Sequence, residues 1–369
     1  MPHGEFRILA INPGSTSTKL AVYVNELAQF VKNIRHSDAE MEKFRGRPIL
    51  DQQGFRSTAI EATLSEAGYK TSELDAVAGR GGLLPPLHSG TYVVNEEMLE
   101  ELRLARRGEH ASNLGGVLAH SIAQKAGVPA YVVDPVSVDE LPEHARLSGS
   151  ALLERQCLSH ALNSKAVAKR YARECRKAYK SLRLIVAHLG SGITVSAHEG
   201  GRMVDVTNSR EEGAFSTERA GSVPAMQLAS LCFAGKYTFR HVEALLFRDG
   251  GLYSYLGTKD LVEVERRIQS GDALAKTVFE AMVYQIGKEI GAMAAVLRGN
   301  VDALLFTGGM AHSQLLVKAL SGYTNWIAPI KVYPGEDELQ ALAEGVLRVL
   351  RGEEEPRFLT AGGTVQARL

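Results

Sequence analysis

Two stretches of the chain repeat one design, and that repeat limits the possible folds more than any other feature. In Ile8 to Tyr23, ILAINPGSTSTKLAVY, the residues Ile8, Leu9 and Ile11 read as a buried strand, with Leu20, Val22 and Tyr23 as its partner. Gly14 allows a tight turn whose backbone N–H groups can converge on an anion. The hydroxyls of Ser15, Thr16, Ser17 and Thr18 add donors, and Lys19 adds charge. The loop runs from strand to strand, unlike the longer glycine loop that leads from a strand into a helix in P-loop proteins. On its own this composition also suits an ordinary polar hairpin. Leu184 to Ala197, LIVAHLGSGITVSA, repeats it, placing His188 on Asn12, Gly190 on Gly14 and Ser191 on Ser15. Gly192 closes the second turn. A third turn, Thr307-Gly308-Gly309, follows the apolar run Ala303 to Phe306 and precedes a helical segment, Ala311 to Leu320. The expectation is an α/β protein of two similar domains facing one nucleotide.

Length and charge fit that expectation. A chain of 369 residues can bury two cores. Its 42 basic and 42 acidic residues balance, so there is no electrostatic footprint for nucleic acid or anionic lipid. No apolar run reaches membrane-spanning length. The opening MPHGEFRILA enters a strand without the regions of a signal peptide. Cys157, Cys175 and Cys232 lie far apart without metal-ligand spacing, which suits reduced thiols in the cytoplasm.

Between the turns, helical character is expected over Asp38 to Phe44, Gln52 to Ala67, Glu96 to Arg106 and Leu114 to Lys125, with strands at Leu74 to Ala78 and Tyr131 to Val133. A helix from Ala151 to Tyr179 is expected to join the halves. Asp272 and Gly299 bracket a long helix over Ala273 to Arg298, and another runs from about Asp337 to Arg351. Little apolar content in Arg357 to Leu369 predicts a mobile or peripheral tail. Trp326, Tyr253 and Tyr255 are expected to be packing residues.

Phosphoryl transfer needs positioning and charge neutralisation more than covalent help, so a kinase site calls for glycine turns, cations and a carboxylate for magnesium. The strand ends supply these in Asn12, Ser15, Ser17, Lys19, Arg80, Asp134, His188 and Gly308-Gly309. Each also has a plainer reading: Arg80 as a surface arginine, Asp134 as a cap before Pro135, His188 as a satisfied core histidine, His110 as a loop stabiliser.

NPGSTSTK, Gly79-Arg80-Gly81-Gly82, GEHASNLG (Gly108 to Gly115), AYVVDPVSVDE (Ala130 to Glu140), AHLGSG (Ala187 to Gly192), FTGGMAH (Phe306 to His312) and LRVLRGEE (Leu347 to Glu354) resemble, in this order, the butyrate kinase branch of the acetate kinase family. The resemblance runs from about Phe6 to Glu354. It implies two duplicated ribonuclease-H-like domains of the actin-like ATPase kind with an interdomain nucleotide cleft. These would span 1–140, completed by the helix near 337–352, and 141–336, leaving 353–369 as a mobile tail.

The resemblance also implies roles. Asn12, Ser15, Ser17 and Lys19 would line the phosphate path with Gly190, Ser191 and Gly192, and Thr307, Gly308 and Gly309 would pack under the adenosine. Arg80 would hold the acid or the phosphoryl group, with Gly82 and His110 beside the substrate, and His188 would bond the phosphoryl group in transit. Asp134 and Glu338 would bind magnesium, although Glu336 and Asp337 stand close enough to compete with Glu338. The implied reaction moves phosphate reversibly between ATP and a short-chain or branched fatty acid, giving an acyl phosphate and ADP, in a cytoplasmic homo-oligomer. Relatives of the acetate kinase type carry a bulky aromatic before the His-Leu-Gly motif; Ala187 stands there, which implies a roomier acyl pocket.

Two departures bear on turnover. The family pattern Thr-Ser-Asp-x-Arg reads LGTKDLVEV over Leu256 to Val264, with Lys259 for the serine and Val262 where the arginine that steadies the phosphoryl charge is expected. Lys259, Arg266 or Arg267 are the cations at hand. TNSREEGAFS, Thr207 to Ser216, departs from the Asp-Gly-Asp-Gly-Pro-Phe loop. A catalytically weak or inactive homologue that binds nucleotide or acyl phosphate as a sensor is therefore the rival reading, ahead of a sugar kinase or chaperone on the same fold.

Overall fold

The repeat reappears in the order of the strands. The structure is a computed structural model that describes residues 4–360 and 365–367. The chain forms two compact units, one holding the residues up to Asp139 and those from Asp337 onward, the other Glu140–Glu336.

In the first unit β1 (Arg7–Pro13), β2 (Ser17–Val24) and β3 (Leu27–Arg35) form an antiparallel meander. On the other side of β1 lie β4 (Ala76–Arg80), parallel to it, and β6 (Ala130–Val133), parallel to β4, with β5 (Thr91–Val93) antiparallel between β6 and the chain's last strands. The second unit repeats the first five positions. Here β7 (Leu184–Leu189), β8 (Ile193–Glu199) and β9 (Arg202–Val206) form the meander, and β10 (Ala303–Gly308) and β11 (Ile330–Pro334) extend it in parallel. The turns expected to bind phosphate are thus the β1–β2 and β7–β8 hairpins.

Strands β1 and β7 are almost wholly buried, as strands with both faces covered must be. The helices Asn113–Ala126 and Glu338–Leu350 pack on β1. In the second unit Ile185, Ala187 and Leu189 join a core with Phe279, Met282, Ile286 and Ile290 of the helix Ala273–Val296. Leu184 and Val186, on alternate positions, pack instead with Val167, Ala168 and Ala172 of the helix Ala161–Glu174. Asp272 caps the long helix by accepting from the Ala275 N–H, and Gly299 adopts φ +73° just after it.

Two expectations are corrected. The joining helix begins at Ala161, and Leu152 and Leu153, within its expected span, are exposed. The tail lies at the edge of the sheet, where β12 (Arg357–Leu359) runs beside β5 and β13 (Val365–Ala367) is antiparallel to it, and Leu359 is buried. Trp326, Tyr253 and Tyr255 are exposed; the Trp326 indole N–H donates to the Tyr323 carbonyl. Among the described residues no helix is long and apolar enough to cross a membrane.

Candidate active site

Open α/β sheets present ligand-binding groups at the carboxyl ends of their parallel strands. In the first unit those ends carry Asn12 (β1), Arg80 (β4) and Asp134, just beyond β6. Register sets Ile11 beside Gly79 and Arg80 beside Val133, so the three lie side by side. Lys19 stands across from Asn12 on β2, with its side chain exposed.

Glu338, at the first position of its helix, ties two of these together. Its Oε2 accepts from Asn12 Nδ2 and from Arg80 Nη1, the latter at 2.5 Å, and the residue is buried. Asp134 is held through Oδ1 by the Ser89 hydroxyl at 2.6 Å and the Gly90 N–H at 2.8 Å, while its own N–H returns a bond to the Gly90 carbonyl. At φ +38° its backbone is left-handed, a conformation that non-glycine residues hold only when their surroundings fix it.

The Gly79–Gly82 turn is pressed against the helix Asn113–Ala126. A Cβ on Gly79 would lie 2.0 Å from the Gly115 carbonyl oxygen, and one on Gly115 would lie 2.1 Å from that of Arg80, so neither position admits a side chain. Gly82 backs onto Asn113, whose Oδ1 accepts from the Leu83 N–H and whose Nδ2 donates to the Gly108 carbonyl. Asn113 therefore fixes both loops, a role its place in GEHASNLG did not reveal. His110 bonds through Nδ1 to the hydroxyl and N–H of Ser112.

In the second unit His188 closes β7 and is buried to 1% exposure. The side-chain oxygen of Asn163 faces its Nδ1 at 2.8 Å and sets the tautomer with the proton there. Its Nε2 is 3.1 Å from Glu336 Oε1 but is not aligned for a hydrogen bond, so a buried ring nitrogen stands without a partner beside Gly190. Glu336 and Glu338 are thus separated by geometry: the first faces His188, the second Asn12 and Arg80, and Asp337 between them is exposed.

Two residues that sequence reasoning missed complete this half. His160, just before the helix Ala161–Glu174, stacks on His188 with ring centroids 3.8 Å apart and planes 9° from parallel, and its Nδ1 meets Thr194 Oγ1 at 3.2 Å. Arg219 lies against the second turn: a Cβ on Gly192 would be 2.6 Å from its Nη1 and 2.8 Å from its Cζ. Its Nη1 donates to the Ser209 carbonyl, and burial holds the guanidinium below the usual arginine range, opposed by Glu218. No spacing signal marks either one; only the folded chain brings them to the turn.

The first departure lies on the helix Leu261–Gln269, which buries Leu261 and Val264. Val262 sits in its first turn, 73% exposed, with its N–H capped by Asp260. Lys259 pairs with Glu218 at 3.0 Å, and Arg267 with Asp272. Arg219, by contrast, is half-buried beside Gly192. Ala187, the expected wall of the acyl pocket, lies on the core side of β7. On a strand, neighbouring side chains point to opposite faces, and Ala187 points into the core with Ile185 and Leu189 while His188 meets Asn163.

Thr307, next to His188 in register, donates its hydroxyl to the Gly335 carbonyl, and Gly308 adopts φ +91° with its Cα against the Leu189 backbone. A Cβ on Gly309 would meet nothing within 4 Å.

Comparison with known proteins places this arrangement. Residues 151–325 match the acetokinase family. The chain is 49% identical over 353 residues to probable butyrate kinase 2 of Caldanaerobacter subterraneus subsp. tengcongensis, covering 96% of this chain and 99% of that protein. Among solved structures it is similar to acetate kinase of Porphyromonas gingivalis, with a TM-score of 0.76 at 20% identity over 94% of this chain and 100% of that one. It is also similar to a propionate kinase of Francisella tularensis subsp. tularensis, with a TM-score of 0.72 at 17% identity over 92% and 98%. The fold is the duplicated actin-like ATPase fold, and the chain belongs to the acetokinase family of carboxylate kinases.

Proposed function

We propose that this carboxylate kinase uses ATP to phosphorylate butyrate or a similar short or branched acid, reversibly. The likeness at 49% identity to a probable butyrate kinase carries the substrate class. The unpartnered Nε2 of His188 at the end of β7 carries the assignment of the phosphoryl position.

An oxygen of the acid attacks the γ-phosphorus of ATP. A carboxylate O–P bond forms, the bond to the β–γ bridging oxygen breaks, and ADP leaves with that electron pair. Arg80, with Nη1 fixed on Glu338, orients its guanidinium toward the acid or the incoming phosphoryl group, as its planar fork suits. Gly82 and His110 border the acid on the loops that Asn113 joins. Asn12, Ser15, Ser17 and Lys19 offer donors and charge to the phosphates, as do Gly190, Ser191 and Gly192 in the second turn. His188 faces a phosphoryl oxygen through Nε2, His160 supports its ring, and Arg219 supplies positive charge at Gly192. Thr307, Gly308 and Gly309 form the floor for the adenosine.

Asp134 and Glu338 are hard oxygen donors of the kind magnesium takes one or two at a time, completing its shell with water and phosphate. Glu338 is anchored through Oε2 by Asn12 and Arg80, and Asp134 through Oδ1 by Ser89 and Gly90. Among the described residues no cluster of three His, Cys, Asp or Glu able to hold a metal occurs, which accords with a metal shared with nucleotide. When bound, magnesium neutralises phosphate charge. The non-catalytic reading has its support in Val262; Arg219 is the cation proposed to take that place, and the relatives favour an active kinase.

The chain is proposed to act in the cytoplasm as a homo-oligomer. The helix Ala225–Phe233 is apolar yet has no buried residue, with Met226 79% and Phe233 91% exposed, and a second copy of this chain is the proposed cover. Light scattering of wild type and Phe233→Glu tests that arrangement, which predicts a smaller species in the variant.

The activity is tested by trapping acyl phosphate with hydroxylamine, using ATP, magnesium and acids of two to six carbons. Butyrate or a branched four- or five-carbon acid should give the highest kcat/KM. Absence of acyl phosphate with every acid would refute the proposal.

A further inference from the structure

Arg56 is fully buried in the first unit, and the function described so far does not use it. It projects from the helix Gln53–Glu66 into the underside of the first turn. Its Nη2 donates to the Ser15 carbonyl at 3.0 Å, and its Nη1 to the Ser17 carbonyl at 2.8 Å and Thr18 Oγ1 at 2.9 Å. Its Nε donates to Gln52 Oε1 at 2.9 Å. His36 braces the same turn, meeting Thr18 Oγ1 through Nε2 at 2.9 Å and giving its N–H to the Thr16 carbonyl at 2.9 Å.

Two features point beyond ordinary packing. All four hydrogen-bond partners of the guanidinium are neutral, so a buried cation stands without a carboxylate; burial pushes it down to about 10. Such a charge is costly unless a counter-charge comes near. The second feature is the repeat. Ser191, which superposes on Ser15, has its carbonyl held in the same way, by the Ser216 hydroxyl, and Ser216 is buried. Two unrelated donors thus restrain the equivalent carbonyl in both copies.

In a trans peptide the C=O and the following N–H point in opposite directions. Holding the Ser15 carbonyl inward therefore turns the Thr16 N–H outward. The Ser17 carbonyl also accepts the Gly14 N–H at 2.8 Å, which closes the turn. We propose that Arg56 is a positioning residue for the Gly14–Thr18 turn, aiming the Thr16 N–H at nucleotide phosphate and supplying positive charge from behind. This rests on the reading of that turn as a phosphate site.

The test measures affinity for ATP and for adenosine, which lacks phosphate, by calorimetry on the full chain with Arg56→Gln, Arg56→Lys and the double variant Ser15→Ala/Ser17→Ala. Arg56→Gln should weaken ATP about 10- to 100-fold, the range for losing a charge-assisted interaction, and leave adenosine within about 2-fold. Arg56→Lys, which keeps the charge without the fork, should fall between and serves if the Gln variant does not fold. A purely structural role would lower thermal stability without changing the ATP-to-adenosine ratio, and an unchanged ratio in every folded Arg56 variant overturns the proposal. If the double serine variant also binds ATP normally, the phosphate reading of the turn fails with it. If that variant alone loses ATP, only the role of Arg56 fails.

Discussion

His160 lies flat on His188, ring over ring at 3.8 Å, although 28 residues separate them in sequence and only His188 belongs to a glycine motif. The stack orders the ring whose Nε2 is unpartnered. His160→Phe should preserve the stacking surface and remove the ring nitrogens, whereas His160→Ala removes both. If the nitrogens matter to the phosphoryl group, both variants lose about 100-fold in kcat, within the range for positioned donors, and only the alanine variant melts appreciably lower. Steady-state kinetics alongside thermal unfolding decides it, and full activity in the Phe variant would reduce His160 to a packing role.

Arg219 and Val262 predict opposite responses. Arg219→Ala should lower kcat by about two to three orders of magnitude, as removal of a transition-state donor does. Val262→Arg places a cation on an exposed helix start and should leave kcat within about 2-fold. A large gain from Val262→Arg in the hydroxamate assay would restore position 262 as the missing charge.

The adjacent glycines of the third turn separate fold from ligand. Gly308→Ala forces a Cβ against the Leu189 carbonyl oxygen, 2.3 Å away, at a left-handed φ, so its melting temperature should fall. Gly309→Leu meets open space and should fold as wild type while losing ATP affinity by tenfold or more. Calorimetry that finds normal ATP binding in the Leu variant would remove Gly309 from the nucleotide floor.

Buried His198 gives a pH signature. Burial, with the nearby Lys165 charge, pushes it down to about 3, and it bonds Tyr179 and Ser196. Its folded value lies below the unfolded value of 6.5, so its contribution is present above pH 6.5 and is lost as pH falls toward 3. In that window it contributes a slope of up to about 1.4 kcal/mol per pH unit. Denaturant titrations should show a shallower acid limb for His198→Gln, and parallel limbs would contradict the assignment.

The fold was legible because apolar strands around glycine turns appear twice, and the long helix because Asp272 and Gly299 mark its ends. Asn12, Arg80, Asp134 and His188 were legible as strand-end polar residues, and the structure sets each at a carboxyl end. Arg56, His160, Asn113 and Arg219 were not, since each acts through a tertiary contact that no local period encodes. Ala187 lies on the opposite face from its motif neighbour His188, because one step along a strand reverses the side chain. Val262 was read from a local likeness, and the fold brings a different arginine, Arg219, to the second turn. Leu152 and Leu153 kept a helical period without a surface to bury against, and periodicity alone does not form a helix.

The helix Glu338–Leu350 packs on β1, β4 and β6, and its Gly345 lies against Val133 with no room for a Cβ. Strands made early in synthesis thus acquire their cover only after all of Glu140–Glu336 has been made. At ribosomal rates of about 5–20 residues per second, that interval lasts tens of seconds at the slow end. During it the apolar face awaiting Leu342 and Val346 is bare, and Asn12 and Arg80 lack Glu338. A chain cut short before Glu338 would therefore leave that face of β1, β4 and β6 without its helix.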